Sequence, residues 1–263
     1  MTATAEAIAD AIAAAKAAVP LPLEGRALAS MSCGKTLFLV VMIGSETLDS
    51  DKFLDVALNW QPYILKAEFL AVQAPHAGRW FDLHQADPAQ RKAEIRQAAD
   101  ALNDFIDAII AKKRIQPENL SLVGFGEGAR LALEVGLRRP EPPKAIVAFS
   151  GAFDGTETLG AEIRSKPPVL LIHGDADETV PYASFAATKA LLKAEGLEVK
   201  SLTRKGIGHV VDDDAVLVVG DYLTKIMVKP QHDDHDHDHD HDHDHDHDHH
   251  DHDHDHDHHD HGH

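Results

Sequence analysis

Short runs of Val, Ile and Leu alternate along the chain with longer stretches in which apolar residues recur every three or four positions. The short runs predict buried strands, because near-continuous aliphatic segments are typical of strands covered on both faces, as in parallel sheets. These runs occupy residues 37–43, 67–75, 120–125, 144–151 and 168–175. A sixth run, residues 197–205, is more polar and predicts a strand towards the edge of the sheet.

The longer stretches predict helices at residues 88–114, 127–139, 183–196 and 212–228. The first opens with Asp87 and Pro88, a capping residue followed by one suited to the first helical turn. Its predicted buried face consists of Ile95, Ala98, Leu102, Phe105, Ile106 and Ile109. The repeated strand-then-helix order predicts an α/β fold with a mainly parallel central sheet and helices on both faces.

The stretch LVGFGEGAR, residues 122–130, has the pattern of a strand that enters a tight turn and leaves as a helix. In one large class of hydrolases this turn carries the nucleophile as G-x-S-x-G. The apex position in this chain is Gly126, which has no side chain. The glycines alone are equally compatible with a tight turn that never held a nucleophile, because glycine suits strained backbone and close strand–helix packing.

Two further residues lie where an acid and a base would be expected. Hydrolases of this kind carry nucleophile, acid and base in that order along the chain. Asp177 follows the strand predicted at 168–175, and His209 follows the strand predicted at 197–205. A hydrogen bond from His209 to Asp177 would fix the imidazole tautomer and leave the other ring nitrogen as a base. The alternative is that the histidine satisfies backbone groups and the aspartate caps a turn.

Four segments resemble the phospholipase/carboxylesterase branch of the α/β-hydrolases, which includes acyl-protein thioesterase-like enzymes. They read LVGFGEGARLAL, AIVAFSGAF, PVLLIHGDADETVPYASFAATKALLKAEGLEV and GIGH. With VQAP and RWFDL, the resemblance spans roughly residues 37–228. It implies an α/β-hydrolase fold in which Asp177 is the acid, His209 the base, and Gly126 stands at the position of the nucleophile serine.

The same resemblance implies where the oxyanion-binding groups should lie. The family has a His-Gly pair after its first core strand, and this pair falls on Ile43 and Gly44. The oxyanion donors would be the backbone N–H groups of Ser45 and Glu127, which do not depend on side-chain identity. Among the other candidates, Ser150 is expected to be a strand-end residue and His173 a structural one.

Three functions are compatible with this pattern. The first is a catalytically impaired hydrolase that keeps a pocket for a small ester-like or apolar ligand, with Trp80 and Phe81 packed beside that pocket. The second is an active hydrolase of carboxylic esters or thioesters. The third is a transition-metal binding or storage protein. No cofactor is expected for the folded domain.

The third function depends on the C-terminal segment, residues 232–263, which contains 17 His, 14 Asp and one Gly. The formal net charge of the chain is −19, but outside this segment 25 Lys and Arg face 30 Asp and Glu, a balance of −5. A segment without apolar residues cannot form a core and is expected to be disordered. Imidazole nitrogens bind Zn²⁺, Ni²⁺, Co²⁺ and Cu²⁺, so the segment predicts metal binding, with a purely solubilising role as the alternative.

The candidate metal ligands are His232, His235, His237, His239, His241, His243, His245, His247, His249, His250, His252, His254, His256, His258, His259, His261 and His263.

Composition also indicates the domain organisation and the compartment. We expect an N-terminal helix at residues 1–19, one α/β-hydrolase domain at 20–230 and the His/Asp segment at 231–263. Cys33 is the sole cysteine, so no internal disulfide can form. The Ala-rich N-terminus lacks the features of a signal peptide, and no apolar run reaches the ~20 residues that span a bilayer. We therefore expect a cytoplasmic protein without integral membrane contact, and the absence of a basic patch argues against nucleic-acid binding.

Overall fold

The computed structural model describes residues 23–76, 78–82, 86–152 and 159–228. The helix predicted at residues 1–19 and the His/Asp segment predicted at 231–263 lie outside these described residues.

Within the described residues, seven strands form one sheet in the order β1-β3-β2-β4-β5-β6-β7. The strands are β1 (Gly25–Leu28), β2 (Phe38–Ile43), β3 (Ala67–Val72), β4 (Leu120–Phe125), β5 (Ala145–Phe149), β6 (Val169–Gly174) and β7 (Val199–Arg204). Strand β1 pairs antiparallel with β3, and the other neighbours pair in parallel. The predicted α/β-hydrolase fold is thereby confirmed, and the more polar strand β7 lies at the edge of the sheet.

Helices cover both faces of the sheet. They are α1 (Ser50–Val56), α2 (Pro88–Lys113), α3 (Glu127–Arg138), α4 (Leu159–Glu162), α5 (Tyr182–Ala194) and α6 (Asp213–Val228). Short 3-10 turns occupy Ala57–Asn59, Gln61–Tyr63 and Pro117–Asn119. The four predicted helices are present with ends within two residues of the prediction. Helix α1 was not predicted; it begins where the Asp49 side chain accepts a hydrogen bond from the Lys52 amide at 2.9 Å.

The two hydrophobic layers follow from the alternation of side chains along each strand. On β2, Leu39, Val41 and Ile43 join the layer that contains helices α2, α3 and α5. The intervening residues Val40 and Met42 join the layer that contains helices α1 and α6. The central strands are therefore buried on both sides, as their continuous apolar pattern predicted.

The buried face of α2 differs slightly from its prediction. Its fully buried residues are Ile95, Ala98, Ala99, Leu102, Ile106 and Ile110. Phe105 and Ile109, which the spacing placed on the same face, are only partly buried at its margin. Because the helix has 3.6 residues per turn, residues spaced three or four apart drift around its surface, and those at the border of the apolar stripe are only partly covered by the sheet.

The C-terminal ends of parallel strands bring distant parts of the sequence together. Strands β4, β5, β6 and β7 are neighbours and run in the same direction, so the loops that follow them meet at one edge of the sheet. The loops after β4, β6 and β7 carry Gly126, Asp177 and His209. No helix in the described part of the chain is both long enough and apolar enough to cross a membrane.

Candidate active site

The turn between β4 and α3 has an unusual backbone conformation. Gly126 has φ 58° and ψ −118°, a region that residues with a side chain rarely adopt. Its N–H donates to the Phe149 carbonyl at 2.9 Å, which fixes the turn against β5. Two residues later, a Cβ on Gly128 would lie 1.9 Å from the Ile43 carbonyl oxygen. The glycine at 128 is therefore required by the close approach of α3 to β2.

His209 and Asp177 form a hydrogen-bonded pair, with 2.9 Å between His209 Nδ1 and Asp177 Oδ2. The Asp177 side chain is fully buried, and its Oδ1 accepts the backbone N–H groups of Thr179 at 2.9 Å and Val180 at 2.8 Å. Burial alone would raise the pKa of this carboxyl group, but the hydrogen bonds from Val180, His209 and Ser150 outweigh it and lower the pKa. Asp177 is therefore ionised at neutral pH.

An ionised Asp177 decides which nitrogen of His209 can act as a base. The carboxylate accepts the Nδ1 proton, which leaves Nε2 of the neutral ring unprotonated. A Cβ placed on Gly126 would lie 3.4 Å from this Nε2 atom. The imidazole ring also packs against Phe125, with ring centroids 4.6 Å apart. The Nε2 atom of His209 therefore lies beside the turn, next to a residue that has no hydroxyl group.

Side-chain hydrogen bonds join the two ends of the loop that carries His209. Arg204, the last residue of β7, donates from Nε to Asp212 Oδ2 at 2.9 Å, and its guanidinium group also reaches Asp214. These bonds join the end of the strand to the start of α6 on either side of the loop. They restrict the positions that His209 can take relative to Asp177.

Ser150 interacts with Asp177, a contact that its sequence context did not reveal. It follows β5 directly, is buried, and has a positive φ of 47°. Its side chain hydrogen-bonds to Asp177 and helps to lower the pKa of that carboxyl group. The sequence indicated only a residue at the end of a strand, because the hydroxyl and its carboxylate partner are far apart along the chain.

The loop after β2 does not present the expected oxyanion donor in this conformation. The Ser45 amide, which the family resemblance placed in that role, donates to the Leu48 carbonyl at 2.9 Å. The Ser45 hydroxyl, bonded to Thr47 Oγ1 at 3.1 Å, instead lies 3.3 Å from the position of a Cβ on Gly126. The second expected donor, the Glu127 N–H, is the first of α3 and has no partner within the helix. Ile43 is fully buried in the core.

Glu127 holds the neighbouring loop against the turn through its side chain. Its Oε2 atom accepts the Trp80 backbone N–H at 2.8 Å, and Trp80 Nε1 donates to the Gly44 carbonyl at 3.1 Å. Burial is the main reason that the pKa of Glu127 is raised, although the Trp80 N–H opposes the shift. The residue thus links α3, the segment at 78–82 and the loop after β2.

These elements surround a cavity of about 350 Å³ that opens beside Gly126 and His209. Its apolar wall includes Phe81, as expected, together with Ile95 and Val180. Trp80 is buried and lines a neighbouring cavity, to whose wall Phe81 also contributes.

The cavity also has charged walls that the sequence did not indicate. Glu46 and Glu127 lie on its lining, and so do two arginines, Arg91 from α2 and Arg130 from α3. Arg130 was unrecognised because a charged residue in an amphipathic helix is usually interpreted as solvent-exposed.

The histidines outside this site have other roles. His173 is buried, and its Nε2 donates to the Val180 carbonyl at 2.8 Å, in agreement with the structural role expected for it. Within the described residues, no group of three or more His, Cys, Asp or Glu side chains is arranged to hold a metal ion. The histidines of the C-terminal segment, from His232 to His263, lie outside the described residues.

Comparison with known sequences identifies relatives over most of the folded part. Residues 61–227 match the family described as Phospholipase/Carboxylesterase. Acyl-protein thioesterase 1 homolog 1 of Dictyostelium discoideum is 24% identical over 158 residues, which cover 57% of this chain and 68% of that protein. A probable carboxylesterase of Oryza sativa subsp. japonica is 26% identical, with 59% of this chain and 61% of that protein covered. The chain therefore spans a little under two thirds of the length of the second relative.

Solved structures agree with this grouping. Esterase PE8 superimposes with a TM-score of 0.73 and 34% identity, covering 78% of this chain and 99% of PE8. SOBER1 of Arabidopsis thaliana superimposes with a TM-score of 0.65 over 72% of this chain and 99% of its own, at 19% identity. The second comparison bears on the fold alone.

Proposed function

Because the chain belongs to the phospholipase/carboxylesterase family of α/β-hydrolases, we propose that it is a catalytically impaired member that retains the pocket and the acid–base pair. In this proposal Gly126 stands where the family carries its nucleophile serine. The pocket then binds a small ester-like ligand without turning it over at the rate of an ordinary esterase.

The observation that carries the proposal is the relation between His209 and Gly126. A Cβ at position 126 would lie 3.4 Å from His209 Nε2, so a serine there would have its hydroxyl within reach of the base. Glycine provides no atom that can attack a carbonyl carbon. In a Ser-His-Asp enzyme, removal of the serine lowers kcat by a factor on the order of 10⁶.

The remaining groups support binding better than chemistry. The Asp177–His209 pair can donate or accept a proton, but a proton acceptor without a nucleophile acts only through a bound water molecule. The Ser45 amide is already bonded to Leu48, which removes one of the two donors that would stabilise an oxyanion. Loss of one such donor costs a factor of about 10²–10³ in kcat.

Hydrolysis of p-nitrophenyl acetate and butyrate by the purified full-length protein tests this proposal. We expect a rate equal to that of the His209→Ala variant, which serves as the matched control. A His209-dependent kcat in the ordinary enzyme range, roughly 1–10³ s⁻¹, would refute it. Treatment with a fluorophosphonate probe is expected to leave every serine unlabelled, and an adduct on Ser45, the hydroxyl nearest the turn, would refute it equally.

A second function is favoured by the composition of the C-terminal segment. We propose that residues 232–263, with 17 His and 14 Asp, bind divalent transition metals through neutral imidazole groups. Calorimetric titration of Zn²⁺ and Ni²⁺ into the full chain and into a chain ending at Pro230 tests this. Equal stoichiometry in the two proteins would assign the metal binding to the folded domain instead.

A further inference from the structure

His173 lies next to the acid of the candidate site, although it does not line the cavity itself. It is the fifth residue of β6, and its side chain is fully buried. The ring packs against Phe185 and Tyr182 of α5, with ring centroids 5.3 Å and 6.1 Å from its own. Because these contacts hold the ring, the directions of its two nitrogen atoms are fixed as well.

The surroundings of His173 identify the nitrogen that carries its proton. Nε2 lies 2.8 Å from the Val180 carbonyl oxygen, which can only accept, so Nε2 is the donor. Nδ1 has no hydrogen-bond partner among the described residues, and a second proton there would be a buried donor without an acceptor. The single proton of the neutral ring therefore lies on Nε2, directed at the Val180 carbonyl.

Val180 connects this N–H group to the acid. Its own amide donates to Asp177 Oδ1 at 2.8 Å, while its carbonyl accepts from His173. The two peptide groups that flank Val180 are thus held at once, one by the carboxylate and the other by the imidazole. His173 Nε2 also lies 3.6 Å from Asp177 Oδ2, the atom bonded to His209. That distance is too long for a hydrogen bond, so the ring acts on this oxygen only electrostatically.

We infer that His173 is a positioning residue, which sets the place of the Asp177 carboxylate and through it the orientation of His209. The bond from His173 fixes Val180, and the Val180 amide fixes one carboxylate oxygen. The other carboxylate oxygen then faces the imidazole of His209. Supporting hydrogen bonds of this kind hold a reactive group within about 0.5 Å of its working position. The inference rests on the proposed function, because it takes the acid–base pair to be retained.

Three substitutions separate the N–H group of His173 from its volume. In His173→Gln the side-chain amide nitrogen can take the place of Nε2 and still donate to the Val180 carbonyl. His173→Leu fills a similar volume without a donor, and in His173→Asn the amide is one bond shorter and falls short of Val180. Val169→Ala is the control for lost packing. Val169 is fully buried, on the same strand and the same face, four positions before His173.

Proton NMR of the full-length protein detects the hydrogen bond between His209 and Asp177 directly. A ring N–H bonded to a buried carboxylate gives a far-downfield resonance, and the signal that disappears in His209→Ala is that of His209. We expect this resonance in the unmodified protein, in Val169→Ala and in His173→Gln. It should be lost in His173→Leu and in His173→Asn.

The opposite patterns would overturn the inference. An unchanged resonance in a folded His173→Leu or His173→Asn protein would show that the N–H group of His173 does not position the acid. Loss of the resonance in Val169→Ala or in His173→Gln would show that general loosening is the cause. A measurement on the unmodified protein does not depend on the folding of the Leu and Asn variants. Its ¹⁵N signals for His173, which are those absent from His173→Gln, should show a proton on Nε2, and a proton on Nδ1 alone would overturn the inference.

The NMR measurements need no turnover, so they separate this inference from the proposed function. Hydrolysis at an ordinary rate that depends on His209 would refute the impaired-hydrolase proposal, whatever the resonance does. Where Gly126→Ser hydrolyses p-nitrophenyl acetate, adding His173→Leu should lower kcat on the order of 10²-fold, the cost of misplacing a catalytic group by about 1 Å. His173→Gln should restore kcat in the same background. Equal kcat with and without His173→Leu would overturn the inference and leave the proposed function intact.

Discussion

Replacement of Gly126 by serine should create an esterase from this protein. A serine Cβ would lie 3.4 Å from His209 Nε2, so its hydroxyl can reach the base that Asp177 orients. The change also imposes strain. The φ of 58° is unfavourable for a residue with a side chain, and the Cβ would lie 3.3 Å from both Cβ and Oγ of Ser45. We expect a loss of about 1–3 kcal/mol in the free energy of unfolding from the backbone strain.

The size of the gain in activity follows from two opposing effects. A nucleophile in a complete triad contributes a factor on the order of 10⁶ to kcat. The Ser45 amide, bonded to Leu48, leaves only the Glu127 N–H of the two expected oxyanion donors, and a missing donor costs about 10²–10³. The Gly126→Ser variant should therefore hydrolyse p-nitrophenyl acetate roughly 10³–10⁴-fold faster than the unmodified protein.

The matched control is Gly126→Ala, which has the same Cβ and the same backbone strain but no hydroxyl. It should lose stability like Gly126→Ser and gain no activity, and Gly126→Ser combined with His209→Ala should lose the gain. Stability is followed by urea unfolding and activity by release of p-nitrophenolate. A folded Gly126→Ser protein that reacts no faster than Gly126→Ala would show that the turn, the base or the remaining donor is not positioned for catalysis.

Three other changes have expected outcomes. Asp177→Asn should lower the free energy of unfolding at neutral pH by roughly 1–3 kcal/mol, because charge-assisted hydrogen bonds to a buried carboxylate are replaced by weaker ones to an amide. The pKa of Asp177 is lowered in the folded protein, so the ionised carboxylate stabilises the fold above its unfolded pKa of about 4. The difference in free energy of unfolding between the unmodified protein and Asp177→Asn, measured by urea unfolding, should therefore shrink as the pH falls through the pKa of Asp177 in the folded protein. A difference that is constant with pH would contradict this. Burial raises the pKa of Glu127, so its ionisation destabilises the fold as the pH rises. In Glu127→Gln the amide oxygen can still accept the Trp80 N–H, but no buried charge forms. This variant should therefore have a higher Tm than the unmodified protein at neutral pH but not at pH values below about 4. An unchanged Tm at neutral pH would contradict it. Zn²⁺ should bind the full chain more weakly as the pH falls below about 6.5, where the histidines protonate, and calorimetry at two pH values checks this against the chain ending at Pro230.

The central sheet could be predicted because each of its buried strands is a continuous apolar run in the sequence. Burial on both faces demands such runs, and residues 120–125 coincide with β4. Strand β1, Gly25–Leu28, is largely exposed and only four residues long, so no hydrophobic pattern distinguishes it from a loop. Its position depends on pairing with β3, an interaction between residues far apart in the sequence.

The pairing of Asp177 with His209 was also accessible to sequence reasoning, since their order along the chain and their place after strands follow from the topology. The hydrogen bond from Ser150 to Asp177 and the presence of Arg130 in the cavity were not. Each depends on the direction of a side chain in three dimensions. Likewise, the bond between the Ser45 amide and Leu48 arises from the local path of the loop, which no motif specifies.

The glycine at position 128 is required by the backbone itself and not by any chemistry at the turn. Any side chain there would collide with the Ile43 carbonyl, whatever residue precedes it. Natural selection for folding alone would therefore keep this glycine in lineages that no longer turn over a substrate. A sequence search based on the spacing of these glycines will therefore retrieve proteins that share the backbone turn. The residue at the apex of the turn must be inspected separately before any of them is counted as an enzyme.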